Sequence, residues 1–435
     1  MTFCLRLLMI FLAITLPLAA QTPKSTQTYP HAHASADVAI EQAHDEIWRR
    51  FVDKQGIMLD FADLNGDVSI PTPEECKLGK PNALGWWSPI ENGGMFNGMY
   101  LDAIVNRYQR TKSPEDAEKA RRLVKGLLLL NSISDTAGFV GRGVSTDDKS
   151  HYAMGSNDQT FPWFIGLAVY LDSGIATQEE VEMIKQHVVM TAEVLLKLNW
   201  NVPAEPPFHL RGSFAPITFE SSPRLLFILK FVSKLTLDPA WEARYQQALH
   251  ERSGPDMLTR LEVCQRGLVY EHGPYHSWTS CSCVWAIREL WEMETDETLR
   301  AAYAQGLQAS AELALKNVSW ASRYDNDNKA RFEMNWRMMN EYWVAQSTQK
   351  EASALAMIEL KAFNKVSPRR QMETELVREP TSAAWIVSLT PDKAFLRAHS
   401  DELKDLIRHY DYTRLYYSQY FWAESAWYRL QEAVN

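Results

Sequence analysis

Phe161-Pro-Trp-Phe-Ile-Gly-Leu-Ala-Val-Tyr-Leu171, followed after Asp172-Ser-Gly174 by the segment Thr177–Leu198, decides the fold. The first run is apolar on every side, and a helix of that kind is stable only when protein surrounds it. The second keeps a clear polar face, so it covers the first and meets water. The same succession returns at Trp278–Trp291, apolar all round, and Asp296–Leu315, one-sided. Helical patterns run along nearly the whole chain, at about 37–54, 92–111, 114–134, 157–173, 177–199, 221–236, 239–252, 277–294, 296–317, 334–347, 350–364, 369–388, 399–411 and 416–432. Loops rich in Gly, Pro, Asn and Asp separate them, the longest from 56 to 89, and no segment reads convincingly as a strand. Buried and outer helices alternating about six times predict an all-α chain with an inner ring wrapped by an outer one, an (α/α)6 toroid. No linker divides it, so residues 36–435 read as a single domain.

The N-terminus reads separately. Residues 1–20 join a charged start to an apolar run, Leu7–Leu16, and end on Ala19-Ala20, the pattern of a signal peptide cleaved near Ala20. Residues 21–35 form a polar leader, and the mature chain is expected to be exported, periplasmic or secreted. No later stretch is long and apolar enough for a membrane helix. Export permits disulfides, but Cys76, Cys264, Cys281 and Cys283 are too few to scaffold a chain of 435 residues, and buried free thiols are expected. A formal net charge of −9 argues against nucleic acid, which demands basic patches. The 15 Trp and 17 Tyr offer flat apolar faces with polar tips, suited to the C–H faces of sugars, although most must serve the core.

In such a ring the inner helices run parallel, and the loops leading into their N-termini line one mouth. Polar residues gather in that position five times: Trp86–Asn92, Asp147–Gln159, His209–Glu220, Tyr270–His276 and Arg323–Arg337. With these features the chain resembles, in architecture, the six-hairpin (α/α)6-toroid group of glycan-active enzymes, which includes unsaturated glucuronyl hydrolases, other glycoside hydrolases and polysaccharide lyases. The resemblance implies an oligosaccharide or polysaccharide substrate. It assigns no residue a role, because a fold hosts several chemistries.

Candidate residues come from the loops themselves. Ser156-Asn-Asp-Gln159 has the form of a capping box, which would set Asp158 in a first helical turn that favours its ionised form, suited to a base or nucleophile. Asp147 and Asp148 stand together between Arg142 and Lys149; mutual repulsion can raise one pKa into the range of a general acid, and Asp148 lies nearer His151 and Tyr152. Each is equally a solvated turn or a helix-start acid. Glu91 supplies a possible second carboxylate, since glycoside hydrolysis needs an acid and a base or nucleophile. Asp148, Asp158 and Glu91 are thus the catalytic candidates. Arg211, Arg323, Arg331 and Arg337 suit a uronate carboxylate, His272, Tyr275 and His276 suit sugar hydroxyls, and Asn92, Arg142, Asp147, His151, Tyr152 and Gln159 are further substrate-binding candidates. Trp86, Trp87, Trp163 and Trp278 are stacking candidates. His151, Tyr152, His272 or Tyr275 could instead supply the base of a lyase, and a carbohydrate-binding toroid without catalysis is the rival outside enzymes. Gly273-Pro274 breaks the helix that a paired-His zinc site needs, and no nucleotide fingerprint is present, so neither metal nor cofactor is expected.

Overall fold

The structure, a computed structural model, describes residues 28–254, 256–270 and 276–434. The signal peptide of residues 1–20, part of the leader, and Glu271, His272 and Tyr275 lie outside the described residues. Helix accounts for 62% and strand for 4%, which makes the chain all-α. It leaves α1 (Ala36–Glu46) through a π turn (Ile47–Phe51) and crosses the short α2 (Pro73–Leu78). Then come α3 (Gly93–Thr111) with α4 (Pro114–Leu130), α5 (Asn157–Asp172) with α6 (Gln178–Lys197), and α7 (Ser222–Thr236) with α8 (Pro239–His250). The short α9 (Arg260–Arg266) precedes α10 (Ser277–Met293) and α11 (Glu297–Val318). The chain ends with α12 (Gln349–Val366), α13 (Pro368–Glu373), α14 (Glu379–Ser388), α15 (Lys393–Ala398), α16 (Ser400–His409) and α17 (Trp422–Val434).

Local chemistry starts these helices where the chain places them. Thr177 with Glu180, and Thr348 with Glu351, form capping boxes that satisfy otherwise orphaned donors at the starts of α6 and α12. Ser113-Pro114 and Asp238-Pro239 combine a side-chain cap with a proline whose missing N–H costs nothing there, opening α4 and α8.

Helices α5 and α14 are buried along almost their whole length, whereas α6 buries only one face. The buried helices touch in succession: α3 packs on α5, α5 on α7, α7 on α10, α10 on α14, α14 on α17, and α17 returns to α3. Between α3 and α5 the approach is close enough to require glycine. A Cβ on Gly98 would stand 2.1 Å from the Pro162 carbonyl oxygen, and one on Gly166 would stand 2.7 Å from the Gly98 Cα.

Several local expectations need correction. Ser156 makes no capping bond at α5. Its hydroxyl accepts from Arg142 instead, and Gln159 turns towards Met95 and Asn92. The expected helix at 334–347 is a 3₁₀ segment, Trp336–Tyr342, because Trp336 and Arg337 are tied to the Ser69–Glu75 stretch. A π turn at Thr374–Arg378 interrupts the helical pattern of 369–388. Two small antiparallel ribbons occur, Asn201–Pro203 with Leu210–Ser213 and Arg252–Ser253 with Leu258–Thr259. Cys76, Cys264, Cys281 and Cys283 are buried free thiols, as expected. Among the described residues no helix is long and apolar enough to cross a membrane.

Candidate active site

The loop entering α3 carries the densest polar construction. Asn92 holds Asp60 with two bonds: its backbone N–H donates to Oδ2 at 2.8 Å and its side-chain amide to Oδ1 at 2.7 Å. The Asn92 carbonyl oxygen Oδ1 in turn accepts from Gln159 Nε2 at 3.2 Å. Next to it, Glu91 accepts the backbone N–H of Trp87 at 2.6 Å. Arg142, fully buried, donates to the backbone oxygens of Glu91 and Met154 at 2.9 Å each. One guanidinium therefore fastens the Trp86–Asn92 loop to the approach of α5. Burial pushes the Asp60 carboxyl well above its ordinary range, reinforced by Glu91, and against the pull of Asn92. Burial also raises Glu91, opposed by the Trp87 N–H and by the charges of Arg142 and Arg370. A carboxyl biased towards its protonated form is equipped to donate a proton where a substrate can reach it.

Asp158, in the first turn of α5, is exposed and accepts from Arg224 at 2.9 Å. Arg224 is itself buried, donates to the Ser282 hydroxyl at 2.9 Å, and lies over the Phe161 ring. The charges of Glu91, Asp158, Asp60 and Arg211 all act on Arg142, whose guanidinium burial lowers to about 10. Loops that are distant in sequence thus converge here, and Asp158 and Glu91 share a neighbourhood.

Aromatic rings and arginines flank this cluster. Arg211 sits 5.7 Å from the centre of Trp86, whose ring is 5.6 Å from that of Trp87. Arg370 lies 4.8 Å from the Trp87 ring on its other contact, and Arg378 lies 4.2 Å from Trp278. Beside Arg378, Glu379 caps the start of α10 across the helix boundary, accepting the Ser277 N–H and the Asn317 amide. Burial raises the Glu379 carboxyl to about 7.

Other sequence candidates are placed elsewhere. Asp148 pairs with Lys54 at 2.6 Å and lines a separate depression with Asp53, Val144 and Thr146, so it shares none of Glu91's bonding partners. Asp147 is consumed by its own turn: Ser145 and Ser150 hydroxyls donate to it and hold its pKa far down, the opposite of a general acid. His151 bonds Glu205 at 3.1 Å. Tyr152 is buried against Gly85 with its hydroxyl on the Lys80 carbonyl, and Trp163 is sealed in the core with its N–H on Leu127. Neither ring has a face free for a sugar. Arg337 is committed to a two-bond pair with Glu75, at 2.6 and 2.7 Å. His276 stands at the N-cap of α10 beside Trp278, and His272 lies outside the described residues.

Sequence reasoning missed Asp60, Arg370, Arg378 and Glu379. Asp60 carried a usable signal, a lone acid between Leu59 and Phe61 in an otherwise apolar stretch. Arg378-Glu379-Pro380 read as a helix interior and gave none. Among the described residues no group of three or more His, Cys, Asp or Glu side chains gathers around a metal position. No protein-family model matches this chain, and no curated protein matches it either. The chemistry has to be argued from the site itself.

Proposed function

We propose that the helices close as an (α/α)6 toroid and that the chain is an exported glycoside hydrolase acting on uronic-acid-containing oligosaccharides. The cyclic succession of buried helices, α3, α5, α7, α10, α14, α17 and back to α3, supports the toroid. The observation that carries the activity is Glu91: a partly buried carboxyl with a raised pKa, among arginines, at a mouth walled by tryptophans and shared with an exposed, arginine-held Asp158. In this reading Glu91 protonates the leaving glycosidic oxygen, and Asp158 acts as base or nucleophile on the opposite side of the sugar. Asn92 and Asp60 position Glu91 and do not touch the substrate.

The test is the purified protein on a panel of uronate-containing and neutral oligosaccharides, read by released reducing ends and by ultraviolet absorbance. Hydrolysis gives reducing ends without absorbance, and Glu91→Gln lowers turnover by about 10²–10⁴-fold, the usual contribution of a general acid. New absorbance from a C=C bond would transfer the assignment to a lyase, a reading favoured by the arginines that can neutralise a uronate carboxylate. Retention of glycan without turnover by the wild type would leave a binding toroid.

A further inference from the structure

Arg211, Arg370 and Arg378 differ from the other arginines of the mouth. Arg142 is spent on backbone carbonyls and Arg224 on Asp158 and Ser282. By contrast, Arg211, Arg370 and Arg378 form no ion pair with any carboxylate among the described residues, and the Nε–H of each, like that of Arg224, is buried without a hydrogen-bond partner. Arg370 is only 6% exposed, and its side-chain bonding is to neutral groups, the Asn364 amide oxygen and the Tyr417 hydroxyl. A buried cation without a counter-charge is expensive to keep and is retained where something outside the chain supplies the missing charge.

The three are also arranged. Arg211, Trp86, Trp87 and Arg370 follow one another in contacts of 5.7, 5.6 and 4.8 Å. Arg378, over Trp278, lies within electrostatic reach of both Arg370 and Glu91. Burial biases Asp60, Glu91 and Glu379 towards their protonated forms, so these neighbouring carboxyls offset the arginines only in part.

We infer that Arg211, Arg370 and Arg378, laid on Trp86, Trp87 and Trp278, form an anion track that binds carboxylates on more than one sugar of the same chain, so that the ligand is a polyuronate rather than a glycan with an isolated acidic residue. The track rests on the glycan reading of the same site. Each arginine presents donors in a planar fork that matches a carboxylate, and the tryptophan faces receive the sugar rings between the charges. A single uronate can satisfy one arginine but leaves the others unpaired.

Tryptophan fluorescence titration of the full chain tests this with four probes of matched length: a homopolymeric uronate tetrasaccharide, a tetrasaccharide with one uronate, a neutral tetrasaccharide and a sulfated neutral one. The expected result is tightest binding of the polyuronate, weakening with added salt, with Arg378→Gln and Arg211→Gln each weakening it at least tenfold and flattening the salt dependence. Arg378→Lys, which keeps the charge and loses the fork, should fall between wild type and Arg378→Gln. Circular dichroism of each variant separates lost binding from lost fold, and Arg211, at the edge of the mouth, gives the reading should an Arg378 variant misfold. Equal binding of neutral and charged probes, unaffected by the arginine variants, overturns the track and leaves the glycan reading standing. A preference for the sulfated probe, or for a single uronate, overturns the polyuronate assignment. Binding of none of the four overturns the glycan reading itself.

Discussion

Two sets of buried charge occupy the same helical core and are treated in opposite ways. Along α3 and α17, Asp102 is fully buried and saturated: Arg429 Nε contacts its carboxylate at 3.0 and 2.9 Å, Trp385 Nε1 donates at 2.8 Å, and Asn106 adds a bond at 3.2 Å. Arg429 reaches on to Glu289 at 3.3 Å. By contrast, the Nε–H donors of Arg211, Arg370 and Arg378 find no acceptor among the described residues. A protein able to build the first arrangement was not forced into the second. On the anion-track proposal the unpaired set is where a ligand completes the chemistry, and the paired set is architecture.

The comparison predicts opposite responses to losing a charge. Asp102→Ala strands Arg429 in the core and should cost about 3–5 kcal/mol, measured by urea or thermal unfolding. Arg378→Gln removes a cation that lacks a partner, and should change stability by less than about 1 kcal/mol or raise it while weakening glycan binding. If Arg378→Gln destabilised as much as Asp102→Ala, the mouth arginines would be structural and the contrast would collapse.

Acidity sharpens the same contrast at Glu379, which joins the two sets by capping α10 beside Arg378. Its folded pKa of about 7 stands above the ordinary 4.5, so the folded state holds a proton that the unfolded state releases. The stabilisation is fully present below pH 4.5 and is lost as pH rises through about 7, a change of roughly 3 kcal/mol. Glu359, buried with its Asn82 bond and raised to about 8, acts in the same direction. Melting temperature should therefore fall between pH 5 and 8, and Glu379→Gln should flatten part of that fall. A melting temperature that rose across the interval would mean that Glu379 is ionised and paired, which would place it with Asp102.

What the sequence disclosed followed from local rules. Apolar-all-round runs such as Phe161–Leu171 require burial wherever they occur, so the all-α class and the inner or outer place of α5 and α6 were legible. Gly98 is a site of close approach, one of the few uses a missing side chain has on a helix face, and that requirement is local as well. The residues gathered around Arg142 and the tryptophans were legible only where they sit in loops: Glu91, Asn92, Asp158, Arg211, Trp86, Trp87 and Trp278 lie in one neighbourhood. Arg370 and Arg378 were hidden because a charge inside a helical pattern reads as a solvated face, and only tertiary packing turned it inward. The supposed cap at Ser156 failed for a related reason. The sequence pattern could not show that Arg142 would take its hydroxyl or that Asn92 and Met95 would claim Gln159.

The smallest effect expected divides the Gly138–Trp163 connection itself. Asp148 at its tip and Asp158 at the start of α5 looked alike in sequence, but one meets the exposed Lys54 and the other the buried Arg224. A pair as exposed as Asp148 with Lys54 contributes little, because solvent screens it. Its backbone is left-handed, at φ 60°, a conformation that asparagine tolerates, so Asp148→Asn removes the charge without adding strain. Stability should change little, and turnover and glycan binding should not change. Asp158→Asn, one mouth away, should suppress turnover while sparing the fold, since Arg224 still reaches Ser282. Loss of turnover in Asp148→Asn with Asp158→Asn fully active would move the chemistry to the depression beside Asp53 and Lys54, and would take Glu91 out of the mechanism with it.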